Sequence, residues 1–156
     1  MFFLGIDPGS SESAYALITY DEGECPYQIL DSDKVENKEL LRMIADDEWG
    51  LGKLTVAIEG LQSYGMSVGR EVFDTAYMIG RLQQLCDTIG HDWVVHNRPV
   101  YAKAICGTNK VSDAILRQAL LLKYGGDAKG QPLHMLKGAS DKRSAFAVIV
   151  YHLEKD

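Results

Sequence analysis

The sequence predicts an α/β fold built on a mixed β-sheet. Three observations predict it: short apolar runs end in turn residues, a long segment carries apolar side chains at helical spacing, and three successive strand patterns precede alternating helices and strands. The chain has 156 residues, of which 46% are hydrophobic, and this is enough to bury a core without disulfide or metal support. We therefore expect one domain over residues 1–156.

The first half of the chain supplies four of the five predicted strands. Residues 2–7 form an apolar run that Asp-Pro-Gly ends, and residues 13–20 and 27–31 flank turn residues and predict a hairpin. Residues 38–46 have the spacing of a short helix. Residues 54–58 are β-branched and nearly all apolar, which is typical of a central strand covered on both faces.

The second half is predicted to be mainly helical. Residues 67–89 predict a long helix with two apolar stripes, one facing the sheet and the other facing either a partner subunit or the protein's own core. If this helix forms a dimer, Leu82→Glu is expected to give a monomer. Residues 93–96 predict the fifth strand, and residues 111–123 and 141–153 predict two further helices. Residues 126–139 contain several glycines and a proline, so we expect a flexible connection there.

Composition excludes several classes of protein. No apolar run approaches the ~20 residues that cross a bilayer, and no basic residue precedes the N-terminal apolar run. The three cysteines form no Cys-x-x-Cys pair, which argues against a zinc ribbon or a disulfide framework. We expect a cytoplasmic protein with neither a membrane span nor a secretory signal.

Charge is distributed unevenly along the chain. The net charge is −6, which by itself argues against a nucleic-acid partner. However, residues 1–97 contain six Lys/Arg and 17 Asp/Glu, whereas residues 98–143 contain nine and three. The basic stretch is either a phosphate-attracting face on an acidic body or an ordinary solvated surface.

Three acidic residues stand at positions where ligands bind in α/β proteins. Asp7 and Glu59 end two strands that are predicted to be central, and Asp141 opens the last helix. Each has an ordinary alternative role, in a turn, at the surface or as a helix cap. Together they make an all-oxygen site for a hard divalent cation such as Mg²⁺ or Mn²⁺.

Such a site favours phosphoryl chemistry. A pair of metal ions about 3.5–4 Å apart activates water on one side of a phosphodiester and stabilises the leaving oxygen on the other. The sequence contains no G-x-S-x-G, H-E-x-x-H, Walker A or G-x-G-x-x-G motif that would point to another chemistry or to an organic cofactor. His152 lies among apolar residues of the last helix and is expected to pack rather than to react.

Four segments together resemble a known family. Residues 5–10 (GIDPGS), 57–60 (AIEG), 102–110 and 141–147 resemble, in order and spacing, the RuvC-type Holliday-junction resolvases of the RNase H-like superfamily. Residues 63–81 are more similar to the divergent versions found in phages than to the bacterial enzymes. The resemblance covers almost the whole chain and implies an RNase H-like, five-stranded mixed sheet flanked by helices.

The resemblance also implies an activity and a site. It implies a homodimer that cleaves Holliday junctions and related branched DNA by two-metal-ion hydrolysis with Mg²⁺, leaving 5′-phosphate ends. Asp7, Glu59 and Asp141 match three metal-binding acids of the family, and the fourth falls on Ser144. A second alignment makes Asp141 the later acid and leaves Gly138 at the earlier place. Since a hydroxyl holds a metal more weakly than a carboxylate, activity is expected to be weaker or to need Mn²⁺.

Several basic and aromatic residues complete the predicted site. Lys110 matches a family lysine near the cleaved phosphate, where its charge would stabilise the transition state. The predicted DNA contacts are Lys103, Tyr64, Arg70, Arg81, Lys142 and Arg143, with Tyr64 stacking on an unpaired base.

Three other functions stay open from the sequence. An RNase H-like nuclease of this kind could instead act on forks, flaps or an RNA–DNA hybrid. The chain could also bind branched DNA without cutting it, if the site has decayed at Ser144. An actin-like nucleotide-binding protein is disfavoured, because such proteins duplicate the fold and the chain shows one copy.

Overall fold

A mixed sheet of five strands forms the centre of the protein. The computed structural model describes residues 1–23, 26–62, 65 and 67–156. Within them the strand order is β3-β2-β1-β4-β5. Strand β2 is antiparallel to both of its neighbours, β1 and β3, whereas β4 is parallel to both of its neighbours, β1 and β5. The strands are β1 (Phe2–Asp7), β2 (Glu12–Tyr20), β3 (Tyr27–Glu36), β4 (Thr55–Gly60) and β5 (Asp92–Asn97). The predicted α/β class and mixed five-stranded sheet are confirmed.

Helices cover both faces of this sheet. They are α1 (Asn37–Ala45), α2 (Arg70–Ile89), α3 (Arg98–Cys106), α4 (Asp113–Tyr124) and α5 (Ser140–Glu154), with a short 3₁₀ turn at His134–Leu136. The sequence did not predict α3. Its start and stop signals are Pro99 in the first turn and Gly107, which ends the helix in the left-handed conformation with φ 72°. None of the described helices is long and apolar enough to span a bilayer.

The alternation of side chains along β1 divides the core between the two faces. Phe3 points to the face that α3, α4 and α5 cover, whereas Leu4 and Ile6 point to the face that α1 and α2 cover. Helix α5 is buried along seven consecutive residues, 144–150, because it lies on the sheet and also packs against α3 and α4. Helix α5 lies along β1, and its first turn lies near the carboxyl end of that strand.

A glycine allows this close approach of α5 to the sheet. A Cβ atom on Gly5 would lie 1.9 Å from the carbonyl oxygen of Ala145, so only a residue without a side chain fits between strand and helix. The position of Gly5 in β1, two residues before Asp7, therefore fixes how α5 lies over the strand end.

One expectation about the second half is wrong, and one alternative that the sequence left open is decided. The connection predicted to be flexible, residues 126–139, inserts Leu133 and Leu136 into the core with exposures of 2% and 1%. Helix α2 turns both of its predicted apolar stripes toward the core: Met78 and Leu82 come from one stripe, and Cys86 and the partly buried Ile79 come from the other. The exposed aromatic residues Phe73 and Tyr77 belong to neither predicted stripe.

Candidate active site

Asp7 and Glu59 lie side by side at one edge of the sheet. Strands β1 and β4 are parallel, and Ile6 pairs with Ile58, so the next residue in each strand stands at the same level. Both side chains are partly buried. Because parallel strands present their carboxyl ends on one edge, this is where an open α/β sheet binds ligands.

The two carboxyl groups and Asp141 act on one another electrostatically. Burial raises the pKa of Asp7 far above its ordinary value, and the negative charges of Glu59 and Asp141 raise it further. Burial likewise raises the pKa of Glu59, and the charge of Asp141 adds to this effect. A cation placed among the three acids would relieve both the desolvation and the repulsion.

Asp141 is already paired with a lysine from the edge strand. Lys34 Nζ lies 2.6 Å from Asp141 Oδ2, and the two side chains are 39% and 41% exposed. The sheet register explains the position of Lys34, since Asp7 pairs with Ala14 and Ala14 pairs with Lys34 in one row across three strands. The charge of Lys34 lowers the pKa of Asp7 in turn.

The three acids are neighbours but do not form a closed ligand set in this arrangement. Within the described ranges, no group of three or more His, Cys, Asp or Glu side chains is drawn together closely enough to hold a metal ion. The donor chemistry nevertheless fits a hard divalent cation, because all three groups supply carboxylate oxygens to one partly buried and negatively charged place.

Helix α3 contributes two residues that sequence reasoning did not place in the site. The hydroxyl of Tyr101 donates to Oε2 of Glu59 across 2.8 Å. One turn earlier, Arg98 donates from Nη1 to the Ser144 hydroxyl and from Nη2 to Asp113 Oδ1, both across 2.8 Å. The signal was present in the sequence as an Arg-x-x-Tyr pair after the fifth strand, but it has meaning only once residues 98–106 are known to be a helix.

Ser144, the predicted fourth metal ligand, is paired with an arginine. Its side chain is 1% exposed, and its hydroxyl accepts a hydrogen bond from the guanidinium of Arg98. The charge of Arg98 lowers the pKa of both Asp7 and Glu59, so the guanidinium lies within electrostatic reach of the acid pair.

A cleft opens over two of the acids, Asp7 and Asp141. It has a volume of about 310 Å³ and is lined by Asp7, Ser10, Lys34 and Asp141 among others. A wider cleft of about 610 Å³ shares residues 10–12 with it and extends to Arg81 on α2. Among the predicted DNA contacts that the structure describes, Arg81 thus lines a cleft that adjoins the one at Asp7 and Asp141.

The other predicted site residues that the structure describes on α2, α3, α5 and the α3–α4 loop line neither cleft. Lys103 is exposed on α3, and Lys110 is exposed in the loop between α3 and α4. Arg70 begins α2 with a side chain that is 92% exposed and 3.6 Å from Asp74. Tyr64 lies outside the described residues.

Lys142 and Arg143 follow Asp141 in the first turn of α5 and are both partly buried. The Nε atom of Arg143 is buried, and it has no hydrogen-bond partner among the described residues.

Comparison with known proteins identifies the fold. No family model and no curated protein sequence matches the chain. Among solved structures, it is similar to Thermus thermophilus RuvC, with a TM-score of 0.69 and 15% identity over 98% of this chain and 93% of that one. The fold is that of the RuvC resolvases. The predicted RNase H-like architecture is therefore confirmed, and the resemblance seen in the sequence is confirmed as a similarity of fold.

Two further resolvases share this architecture. The fowlpox virus resolvase, solved with its substrate Holliday junction DNA, matches with a TM-score of 0.58 and 16% identity over 99% of this chain and 98% of that one. The yeast mitochondrial Holliday junction resolvase Ydc2 matches with a TM-score of 0.60 and 12% identity over 94% of this chain and 75% of that one. The RuvC-like fold thus extends over essentially the whole chain.

Proposed function

We propose that this chain is a metal-dependent endonuclease that cleaves Holliday junctions and related branched DNA. The observation that carries the proposal is the pair of partly buried carboxylates, Asp7 and Glu59, at the ends of adjacent parallel strands with Asp141 in electrostatic reach. Support for the substrate comes from the shared fold, since both T. thermophilus RuvC and the fowlpox virus resolvase have been solved with Holliday junction DNA.

Asp7, Glu59 and Asp141 would hold the divalent cation, Mg²⁺ with Mn²⁺ as a substitute. When bound, such an ion lowers the pKa of its water and stabilises charge on the phosphate. The chain's own residues prepare the site: Tyr101 orients Glu59 by its hydrogen bond, and Lys34 neutralises Asp141 until a stronger cation competes for it. The product ends are proposed to be 5′-phosphates.

Basic residues around the cleft are proposed to hold the DNA backbone. Arg81 lines the cleft that leads away from the acids, and the exposed Lys103 and Lys110 lie on the α3 side. Arg70, Lys142 and Arg143 are proposed to add phosphate contacts, and Tyr64 to stack on a base. Since the first 97 residues are strongly acidic, these cations would decide which face meets DNA.

A homodimer is part of the proposal. Helix α2 exposes Phe73 and Tyr77 at 52% and 67%, next to exposed Val68 and Val72. A cluster of large apolar side chains on one exposed helix is typical of an interface. Two copies joined there would bring two acid sites to one junction, as paired nicks require.

The test is cleavage of a panel of end-labelled substrates. Wild-type protein, Asp7→Asn and the matched control Asp46→Asn are incubated in Mg²⁺, in Mn²⁺ and in EDTA. The panel contains a four-way junction, a flap, a fork, duplex, single-stranded DNA and an RNA–DNA hybrid. We expect paired nicks in the junction that require metal, disappear in Asp7→Asn and persist in Asp46→Asn, whose carboxyl is exposed at the C-terminal end of α1.

Other outcomes would change the proposal in defined ways. Cutting of flaps, forks or the hybrid in preference to the junction would keep the metal site and overturn the substrate. Junction binding without cutting in either metal would make the chain a branched-DNA-binding protein. Junction binding by Asp7→Asn should be equal to wild type or tighter, because the variant removes negative charge near the phosphates.

A further inference from the structure

The guanidinium of Arg98 is fixed at the Ser144 side of the acid site. Its two hydrogen bonds reach α5 through Ser144 and the N-terminal end of α4 through Asp113, each across 2.8 Å. The Arg98 side chain is 29% exposed, whereas Asp113 is 59% exposed and faces solvent. An arginine held by two helices in a partly buried place is a permanent charge, because its pKa lies far above neutrality.

This charge is directed at the acids. Inside the site Arg98 meets the neutral hydroxyl of Ser144, whereas its ion pair with Asp113 is screened because Asp113 is exposed to solvent. Arg98 lies one turn before Tyr101, which donates to Glu59, and Ser144 lies one turn after Asp141, so the guanidinium stands beside the acid site. Its charge lowers the pKa of Asp7 and of Glu59, while the charge of Asp113 raises the pKa of Glu59. Lys34 differs from Arg98, because it sits on a flexible stem, is 39% exposed and makes its ion pair with Asp141 itself.

Charge balance limits what the site can bind. Asp7, Glu59 and Asp141 carry three negative charges when ionised. Arg98 offsets part of this charge, although it is also paired with the exposed Asp113, and one divalent cation offsets two charges once Lys34 has left Asp141. A second divalent ion on the Ser144 side would meet a hydroxyl that already accepts a bond, and it would lie beside a fixed positive charge.

We propose that Arg98 is a positioning residue that takes the place of a second metal ion, so that each site binds one divalent cation and one guanidinium. This inference rests on the proposed function. The resemblance in the sequence implies two metal ions, and in this proposal the guanidinium of Arg98 supplies the positive charge that the second ion would supply on the Ser144 side.

The first test counts metal ions without DNA. Mn²⁺ is titrated into the purified protein, and free Mn²⁺ is followed by electron paramagnetic resonance. We expect one ion per chain for wild type and two for the double variant Arg98→Met/Ser144→Asp, which replaces the guanidinium by a carboxylate ligand. A wild-type stoichiometry of two or of zero would overturn the inference.

The second test separates positioning from mere structural support. Arg98→Met should bind Mn²⁺ roughly tenfold more tightly than wild type, because a repelling charge is gone, while junction cleavage falls at least tenfold. A residue needed only for folding would weaken both when removed. Arg98→Lys keeps the charge and should restore wild-type Mn²⁺ affinity with part of the activity.

Controls keep the result interpretable if a variant is unstable. Arg42→Met removes a guanidinium that also bridges carboxylates, those of Glu39 and Glu48, but lies on α1 and should change neither metal binding nor cleavage. Ser144→Ala removes the hydrogen bond and keeps the charge, so it should still bind one ion. If wild type binds one Mn²⁺ but cuts no DNA, the inference stands and the proposed activity falls.

Discussion

The hydroxyl of Tyr101 donates a hydrogen bond to Oε2 of Glu59 across 2.8 Å and joins helix α3 to the end of β4. Tyr101 is fully buried, so the bond forms away from water. It lowers the pKa of Glu59 against the opposing effect of burial. One neutral donor thus helps to keep a buried carboxylate ionised and in one orientation.

Replacement of this tyrosine should weaken the site more than the fold. In Tyr101→Phe the Glu59 carboxylate loses a donor, its pKa rises, and a divalent cation must compete with a proton for it. We expect cleavage to fall about tenfold at limiting Mg²⁺, with partial recovery at high Mg²⁺, and a loss of about 1–2 kcal/mol in the free energy of unfolding. The measurements are cleavage rates across a Mg²⁺ series and urea unfolding.

A second tyrosine provides the control for this experiment. Tyr124 donates to Glu154 across 3.0 Å in a comparable tyrosine–glutamate pair far from the acids. Tyr124→Phe should lose similar stability and leave cleavage unchanged. Equal cleavage by Tyr101→Phe and wild type at every Mg²⁺ concentration would remove Tyr101 from the machinery.

The strands and the acid pair were predictable because both depend on local pattern. Residues 54–58 are apolar and β-branched, and Asp7 and Glu59 each follow a predicted strand directly. Parallel neighbours then place both carboxylates on one edge without further information. The sequence pattern does not give the order of the strands in the sheet. That order makes β1 and β4 neighbours and so brings Asp7 and Glu59 together.

The cations of the site were not predictable, because they depend on tertiary contacts. Lys34 reaches Asp141 across 107 residues of sequence, through the register of an edge strand that runs five residues beyond its predicted end. Arg98 meets Ser144 only because α3 and α5 pack together. The sequence predicts only a basic stretch over residues 98–143 and no helix at 98–106, because α3 is short and has no strong apolar periodicity.

The exposed aromatic side chains of α2 should be required for a dimer. Phe73→Glu combined with Tyr77→Glu places two charges on the exposed face, and we expect a monomer by sedimentation with the fold retained. Leu122→Glu is the control, because Leu122 is 84% exposed on α4 and its replacement should leave the dimer intact. Dimer formation by the double variant would place the interface elsewhere.

A replacement that the sequence suggested for this purpose does not test the interface. Leu82→Glu is the replacement that the sequence predicts to separate a dimer, but Leu82 is fully buried against the sheet. A charge introduced there would be desolvated without a partner, so Leu82→Glu should unfold the protein and not simply dissociate it.

A histidine pair should make stability fall in mild acid. Nε2 of His96 lies 3.1 Å from Nδ1 of His152, and burial lowers the pKa of both rings. Since the unfolded chain then binds protons more readily, the stabilising contribution is complete above the ordinary pKa of 6.5 and is lost as the pH falls below it. The measurement is urea unfolding between pH 7.5 and pH 5.

Variants isolate the pair from other titrating groups. His152→Gln should flatten the acid slope, whereas His134→Gln removes an exposed histidine and should keep it. The raised pKa of Asp7 has the opposite effect on stability, since the folded protein binds this proton more readily than the unfolded chain. Every variant contains Asp7, so its contribution cancels when the unfolding free energies of two variants are subtracted. A wild-type slope in His152→Gln would show that the pair does not control the acid response.

The contact between β1 and α5 should tolerate no side chain at position 5. In Gly5→Ala the new Cβ would lie 1.9 Å from the Ala145 carbonyl oxygen and 2.9 Å from Cγ2 of Ile149, so α5 must move away from the sheet. We expect a loss of at least about 3 kcal/mol in the free energy of unfolding, because a buried helix loses its packing. Gly80→Ala is the matched control: its Cβ meets nothing within 4 Å in the middle of α2, and it should stabilise the protein by about 0.5–1 kcal/mol.

The movement of α5 in Gly5→Ala would also carry Asp141 away from Asp7, so any folded Gly5→Ala protein should bind Mn²⁺ more weakly than wild type. Wild-type stability and Mn²⁺ affinity in Gly5→Ala would mean that α5 does not set the position of the third acid.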